Sequence, residues 1–110
     1  MGEITVVVER LDGTVLLRPS GELDMATAPE LQRVLDGVIG QHAGLAVDLS
    51  DVTFADCAGL APIRRALRAG THGSTVRLFA ARPPVERVLH LTGLGRPAGR
   101  SADPAGASPG

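Results

Sequence analysis

The stretch LAVDLSDVTFADCAGLAPIRRAL, Leu45 to Leu67, changes periodicity partway along and so decides what kind of sheet the chain can build. Its first part is a short apolar run, Leu45 to Leu49, the mark of a buried strand. After the small-residue turn ADCAG the spacing becomes helical. Leu60, Ile63, Ala66 and Leu67 fall on an inner side, with Arg64, Arg65 and Arg68 on the outer one, and the pattern stops at Gly70. A strand that runs into a helix is the unit of a parallel α/β sheet. Cys57, the single cysteine of the chain, stands at the junction.

Upstream, EITVVVER is a β-branched run ending at LDGT, where Asp12-Gly13 signals a tight hairpin, and TVLLRPSGELD is the return strand. Two antiparallel strands therefore open the fold. TAPE then has the form of a capping box, Thr27 capping the amide of Glu30 while Glu30 reaches back, with Pro29 in the first helical turn. Leu31, Val34, Leu35, Val38 and Ile39 make one apolar stripe of the helix that follows, leaving Gln32, Arg33 and Asp36 outside it. Downstream, TVRLFA is a further strand. RPPVERVLHLTGL starts a third helix at its double proline, buries Val85, Val88, Leu89 and Thr92, and stops at Gly93, with Leu94 placed for a Schellman contact. The class is α/β.

The 110 residues suffice for one compact domain, residues 1–94. In GRPAGRSADPAGASPG, residues 95–110, only Arg96, Arg100 and Asp103 are not Gly, Pro, Ala or Ser, so this tail is expected to be disordered. Aromatic residues make up 2% of the chain, so stacking platforms for single-stranded nucleic acid are missing. The net charge is -1 and all 11 basic residues are dispersed arginines, which argues against a nucleic-acid partner. The N-terminus has no signal-peptide pattern, and no apolar run approaches the roughly 20 residues that span a bilayer. A lone cysteine fits a reducing compartment, so a cytoplasmic location without membrane insertion is expected.

His42, His72 and His90 are isolated from one another and from Cys57, and no CxxC, HxxxH, HExxH, GxSxG or glycine-rich phosphate loop occurs. Neither a metal nor a cofactor is expected, and Glu86 with His90 reads as an ordinary helix-surface pair. Asp56 is placed to cap the second helix, which sets Cys57 in its first turn, where free backbone amides favour an anion. Taken structurally, such a cysteine is a small buried filler. Taken chemically, it is a thiol sensor, although no second cysteine is present to resolve a sulfenate. Asp24 and Asp56 read as turn and cap, yet both end strands where open α/β sheets gather functional groups.

With these pieces placed, the sequence resembles a STAS domain of the anti-sigma factor antagonist family. The resemblance is carried by GELDMATAPELQRVL (Gly21 to Leu35), by LAVDLSDVTFADCAGLAPIRRAL, and by VRLFAARPPVERVLHLTGL (Val76 to Leu94), and it spans residues 4–94. It implies a SpoIIAA-like fold, a mixed sheet of about four strands with three helices packed mainly on one face. It also implies a non-enzymatic module that captures an anti-sigma factor, a serine kinase of the histidine-kinase-like ATPase fold, and so frees a sigma factor. In the family the loop is usually Asp-Ser-Ser-Gly-Leu, and its first Ser is the phosphoacceptor. Here that position is Cys57 and the second Ser is Ala58, while Asp56, Gly59 and Leu60 remain. The resemblance thus implies a switch position without its hydroxyl, inside a partner surface made of Asp24, Asp56, Cys57, Ala58, Gly59, Leu60 and Arg64. Members commonly continue into a further strand and helix where this chain enters its tail. DCAGLA also resembles the Asp-Thr-Ala-Gly-Leu-Ala form of STAS subunits in lipid-transport ABC systems, which is the alternative reading.

Overall fold

The computed structural model describes residues 2–38, 44–69 and 75–94. The expected tail, the end of the first stripe at Ile39, the stop at Gly70, and His42 and His72 lie outside them. The elements are β1 (Ile4–Leu11), β2 (Thr14–Leu23), α1 (Ala28–Val38), β3 (Gly44–Asp48), β4 (Val52–Ala55), α2 (Cys57–Ala69), β5 (Thr75–Phe79) and α3 (Pro83–Leu91). β1 and β2 pair antiparallel from Ile4 opposite Gly21 to Leu11 opposite Thr14. Their turn holds Asp12 at φ 41° and Gly13 at φ 83°, the two left-handed residues that a type I′ hairpin needs. β2 then pairs parallel with β3, and β3 with β5.

The sheet is mixed, as expected, and the described residues form five strands. The additional strand is β4. The strand read at Leu45 to Leu49 is β3, but no separate strand was expected after it: the chain breaks at Leu49 to Asp51 and resumes further along the same edge of β2, so that β3 faces Thr14 to Leu17 and β4 faces Gly21 to Leu23. Asp48 holds the break. Its Oδ1 accepts the Ser50 N–H at 2.9 Å and its Oδ2 accepts the Arg18 Nε–H at 3.3 Å. Burial alone would raise the Asp48 carboxyl pKa, but the Ser50 amide and hydroxyl and the Arg18 guanidinium outweigh it and hold the group below its ordinary value. Gly21 donates to the Asp51 carbonyl across the gap. Two residues before Gly21, the Pro19 nitrogen faces that same side and has no hydrogen to donate, so proline sits where the ladder lapses.

One core joins the layers. Val15, Leu17, Leu23, Leu45, Val47, Leu49, Val52, Ala55 and Leu78 from the sheet meet Leu31, Leu35 and Val38 of α1, Leu60, Ile63 and Ala66 of α2, and Val85 and Leu89 of α3. The alternate residues, such as Val7, Leu16, Arg18, Ala46 and Arg77, stay outside it, so the helices cover one face. Leu94 closes α3 by donating to the Leu89 carbonyl at 2.8 Å, the long bond of a Schellman motif. The capping box at α1 does not form. The Thr27 hydroxyl donates to the Glu22 carbonyl at 2.7 Å and accepts the Asp24 N–H at 3.0 Å, while Glu30 pairs with Arg33. Thr27 is buried against the end of β2, so its hydroxyl is taken up there by Glu22 and Asp24, and the Glu30 N–H donates to the Thr27 carbonyl at 3.1 Å instead.

Candidate functional site

The register of β2 against β4 builds the site. Leu23 lies opposite Ala55 on parallel strands, so the next residue on each, Asp24 and Asp56, emerges at the same end of the sheet. The Asp56 N–H extends the ladder by one bond, to the Leu23 carbonyl at 3.0 Å. Its side chain then turns to α2, where Oδ1 accepts the Gly59 N–H at 2.9 Å, and its carbonyl takes the Leu60 N–H. Asp56 is thus the N-cap, Cys57 the first helical residue and Gly59 the third.

Asp24 organises the other loop in the same manner. Its Oδ1 accepts the N–H groups of Ala26 (2.9 Å) and Thr27 (3.0 Å), and its carbonyl accepts that of Ala28 at 2.9 Å. Both aspartates therefore do the turn and cap work that their residue type suggests. The two loops also interlock through Gly59. A β-carbon there would lie within 3.0 Å of the Leu23 carbonyl carbon and oxygen and of the Asp24 nitrogen. Only glycine lets the first turn of α2 rest on the backbone at the end of β2.

The surface of this unit divides sharply. Cys57 and Ala58 are exposed, Asp24, Asp56 and Arg64 half-buried, and Gly59 and Leu60 buried. The exposure of Cys57 overturns its reading as a buried filler: the interlock turns Gly59 and Leu60 inward and leaves the first helical position pointing out. Leu60 is also corrected as a contact residue, since it has 0% exposure and its side chain belongs to the core. Arg64 stands seven residues after Cys57 and so on the same helix face, with Arg68 further along that face. Arg65 turns instead to α1, donating to Gln32 Oε1 at 2.8 and 3.1 Å.

The sequence reading passed over Met25, next to Asp24, which is 76% exposed. Its signal was available, since it is an apolar residue ahead of the α1 stripe and out of phase with it. Among the described residues no three His, Cys, Asp or Glu side chains converge to hold a metal ion, and no helix is long and apolar enough to cross a membrane. Two loops pinned by their own hydrogen bonds, with Met25, Cys57 and Ala58 exposed on them, suit contact with another molecule.

The family model described as STAS domain matches residues 5–97. An anti-sigma factor antagonist from Mycobacterium paratuberculosis has a crystal structure similar to this chain at TM-score 0.83 and 33% identity, over 94% of this chain and 91% of that one. The Bacillus cell fate determinant SpoIIAA in its phosphorylated form superposes at TM-score 0.66 and 21% identity, over 83% of this chain and 86% of that one. A sulfate transporter family protein from Wolinella succinogenes does so at 0.68 and 15%, over 87% and 76%. At these last two identities the likeness is one of fold.

Proposed function

Because the chain belongs to the STAS domain family, we propose that it is a cytoplasmic, non-enzymatic regulator that binds an anti-sigma factor and thereby frees a sigma factor. The observation that carries this reading is the 33% identity, over nearly the whole of both chains, to a protein described as an anti-sigma factor antagonist. The contact surface is the end of the sheet where Asp24 and Asp56 to Ala58 come together, continued along α2 by Arg64. Gly59 and Leu60 support it from beneath.

Position 57 is exposed, so a partner's kinase site can reach it, and it directly follows the capping Asp56. Its thiol replaces the hydroxyl that a serine kinase modifies. A phosphate there would add about 1.5 to 2 negative charges beside two carboxylates, opposing any contact built on this surface. The protein accordingly behaves as a permanently unmodified antagonist.

The test incubates the protein with the purified anti-sigma factor and ATP and reads both mass and affinity. Wild type is expected to bind and to gain no phosphate, whereas Cys57→Ser gains one. Cys57→Ala binds like wild type, and Cys57→Glu binds about tenfold or more weakly. Phosphate on wild-type Ser50 or Thr53 would move the switch elsewhere. Loss of binding in Cys57→Ala would give the thiol a duty that this reading denies it.

A further inference from the structure

We propose that Met25 is the apolar anchor of the partner contact, entering an apolar pocket on the anti-sigma factor whose rim carries acidic groups opposite Arg64 and Arg68; this rests on the functional reading above. Met25 is 76% exposed, although it sits in a loop tied by several hydrogen bonds. The Asp24 carboxylate holds the two amides that follow it, and the Asp24 carbonyl holds that of Ala28. The buried Thr27 hydroxyl ties the loop back to Glu22. An exposed thioether on a fixed base gains apolar burial on docking without the cost of ordering its backbone. Methionine also adapts its shape to the pocket that receives it.

The setting identifies the kind of partner. The Gly59 interlock places the Asp24 loop against the first turn of α2, so Met25 and Ala26 on one loop and Cys57 and Ala58 on the other form an exposed, uncharged centre. Along the face of α2 that bears Cys57, Arg64 and Arg68 follow on one side of this centre. An apolar centre beside a charged margin is the usual anatomy of a protein contact. The Asp24 and Asp56 carboxylates next to this centre are taken up by the amides of Ala26, Thr27 and Gly59. On the α2 side the margin is therefore set by Arg64 and Arg68, which calls for acidic groups opposite them. The other strongly exposed apolar residues lack this setting. Leu91, 81% exposed, lies at the far end of α3, Phe54, 48% exposed, lies within β4 opposite Glu22 and outside the two loops, and Val7 and Leu11 are on β1, an edge strand of the sheet.

The experiment measures affinity and association rate of the full chain for the purified anti-sigma factor. Met25→Ala should weaken binding about 10- to 100-fold, mainly through faster dissociation. Met25→Leu should stay within about threefold, and Leu91→Ala within about twofold, with melting curves unchanged because these side chains are exposed. Arg64→Ala with Arg68→Ala should slow association and flatten its salt dependence. Wild-type binding that survives both Met25→Ala and Met25→Glu overturns the anchor and leaves the functional reading standing. Failure of the wild type itself to bind overturns both.

Discussion

Replacing Gly59 by alanine sets two effects of opposite sign against each other. In an isolated helix the change favours folding by about 1 kcal/mol, because alanine is the better helix former. In this structure the added carbon falls within 3.0 Å of three backbone atoms of Leu23 and Asp24, none of which can rotate away as a side chain does. The start of α2 must lift off β2. Overpacking of this kind costs about 1–3 kcal/mol. The lift also weakens the Asp56-to-Leu23 bond at 3.0 Å and the Gly59-to-Asp56 cap at 2.9 Å, each worth about 1 kcal/mol. After subtracting the gain in propensity, the net destabilisation is about 2–4 kcal/mol, or roughly 10 to 25 °C in Tm for a domain of this size. Urea titration followed by circular dichroism, with the slope m checked against wild type, measures it. A Gly59→Ala protein as stable as wild type, or more so, would refute the interlock, because only the propensity effect would then be acting.

Two further expectations concern the strand break and the loop after β5. Asp48 titrates below its ordinary value in the folded protein, so its contribution is complete at neutral pH and lost as the pH falls through the folded pKa, below about 4. Asp48→Asn should therefore cost about 1–2 kcal/mol at pH 7, and the gap to wild type should narrow as the pH falls through the folded pKa; a gap that stays constant in acid excludes the charge as its source. Ala80 is exposed and held at φ 63°, where an L-residue is strained by about 1–2 kcal/mol. Relief of that strain, less the entropy of a glycine in the unfolded chain, leaves Ala80→Gly about 0.5–1 kcal/mol more stable, and a lower Tm would contradict this.

What could be read from the sequence was whatever local chemistry decides. Asp12-Gly13 demands its hairpin, the spacing of Leu31, Leu35 and Val38 demands a buried helix face, and Asp56 three residues ahead of an available amide makes a cap. The first run ends legibly at Leu49, but the break that starts a new strand was hidden, because the four residues of β4 are too few to show a period of their own. Its cause lies across the sheet, in the pull of Arg18 and the Ser50 amide on Asp48 and in the reach of Gly21 to Asp51. Thr27 misled for a similar reason, since the acceptor that captured its hydroxyl is supplied by β2 and not by its own helix. At the site, the meeting of Asp24 with the Cys57 loop was expected from their places at strand ends. Which of its side chains face outward depended on Gly59, whose lack of a side chain shows its importance only when the neighbouring backbone is known.

The broken strand has a mechanical consequence. Among the described residues β4 is hydrogen-bonded only to β2, at three paired positions, and Cys57 and Ala58 hang from its end. β2 also carries β1 and β3, and β3 carries β5, in the longer part of the same sheet. Amides of β4 are thus expected to exchange with solvent through a smaller opening than those of β3. A partner that tugs on the docking end works against a short seam. The domain can be compliant where it is gripped while the rest of the sheet stays closed.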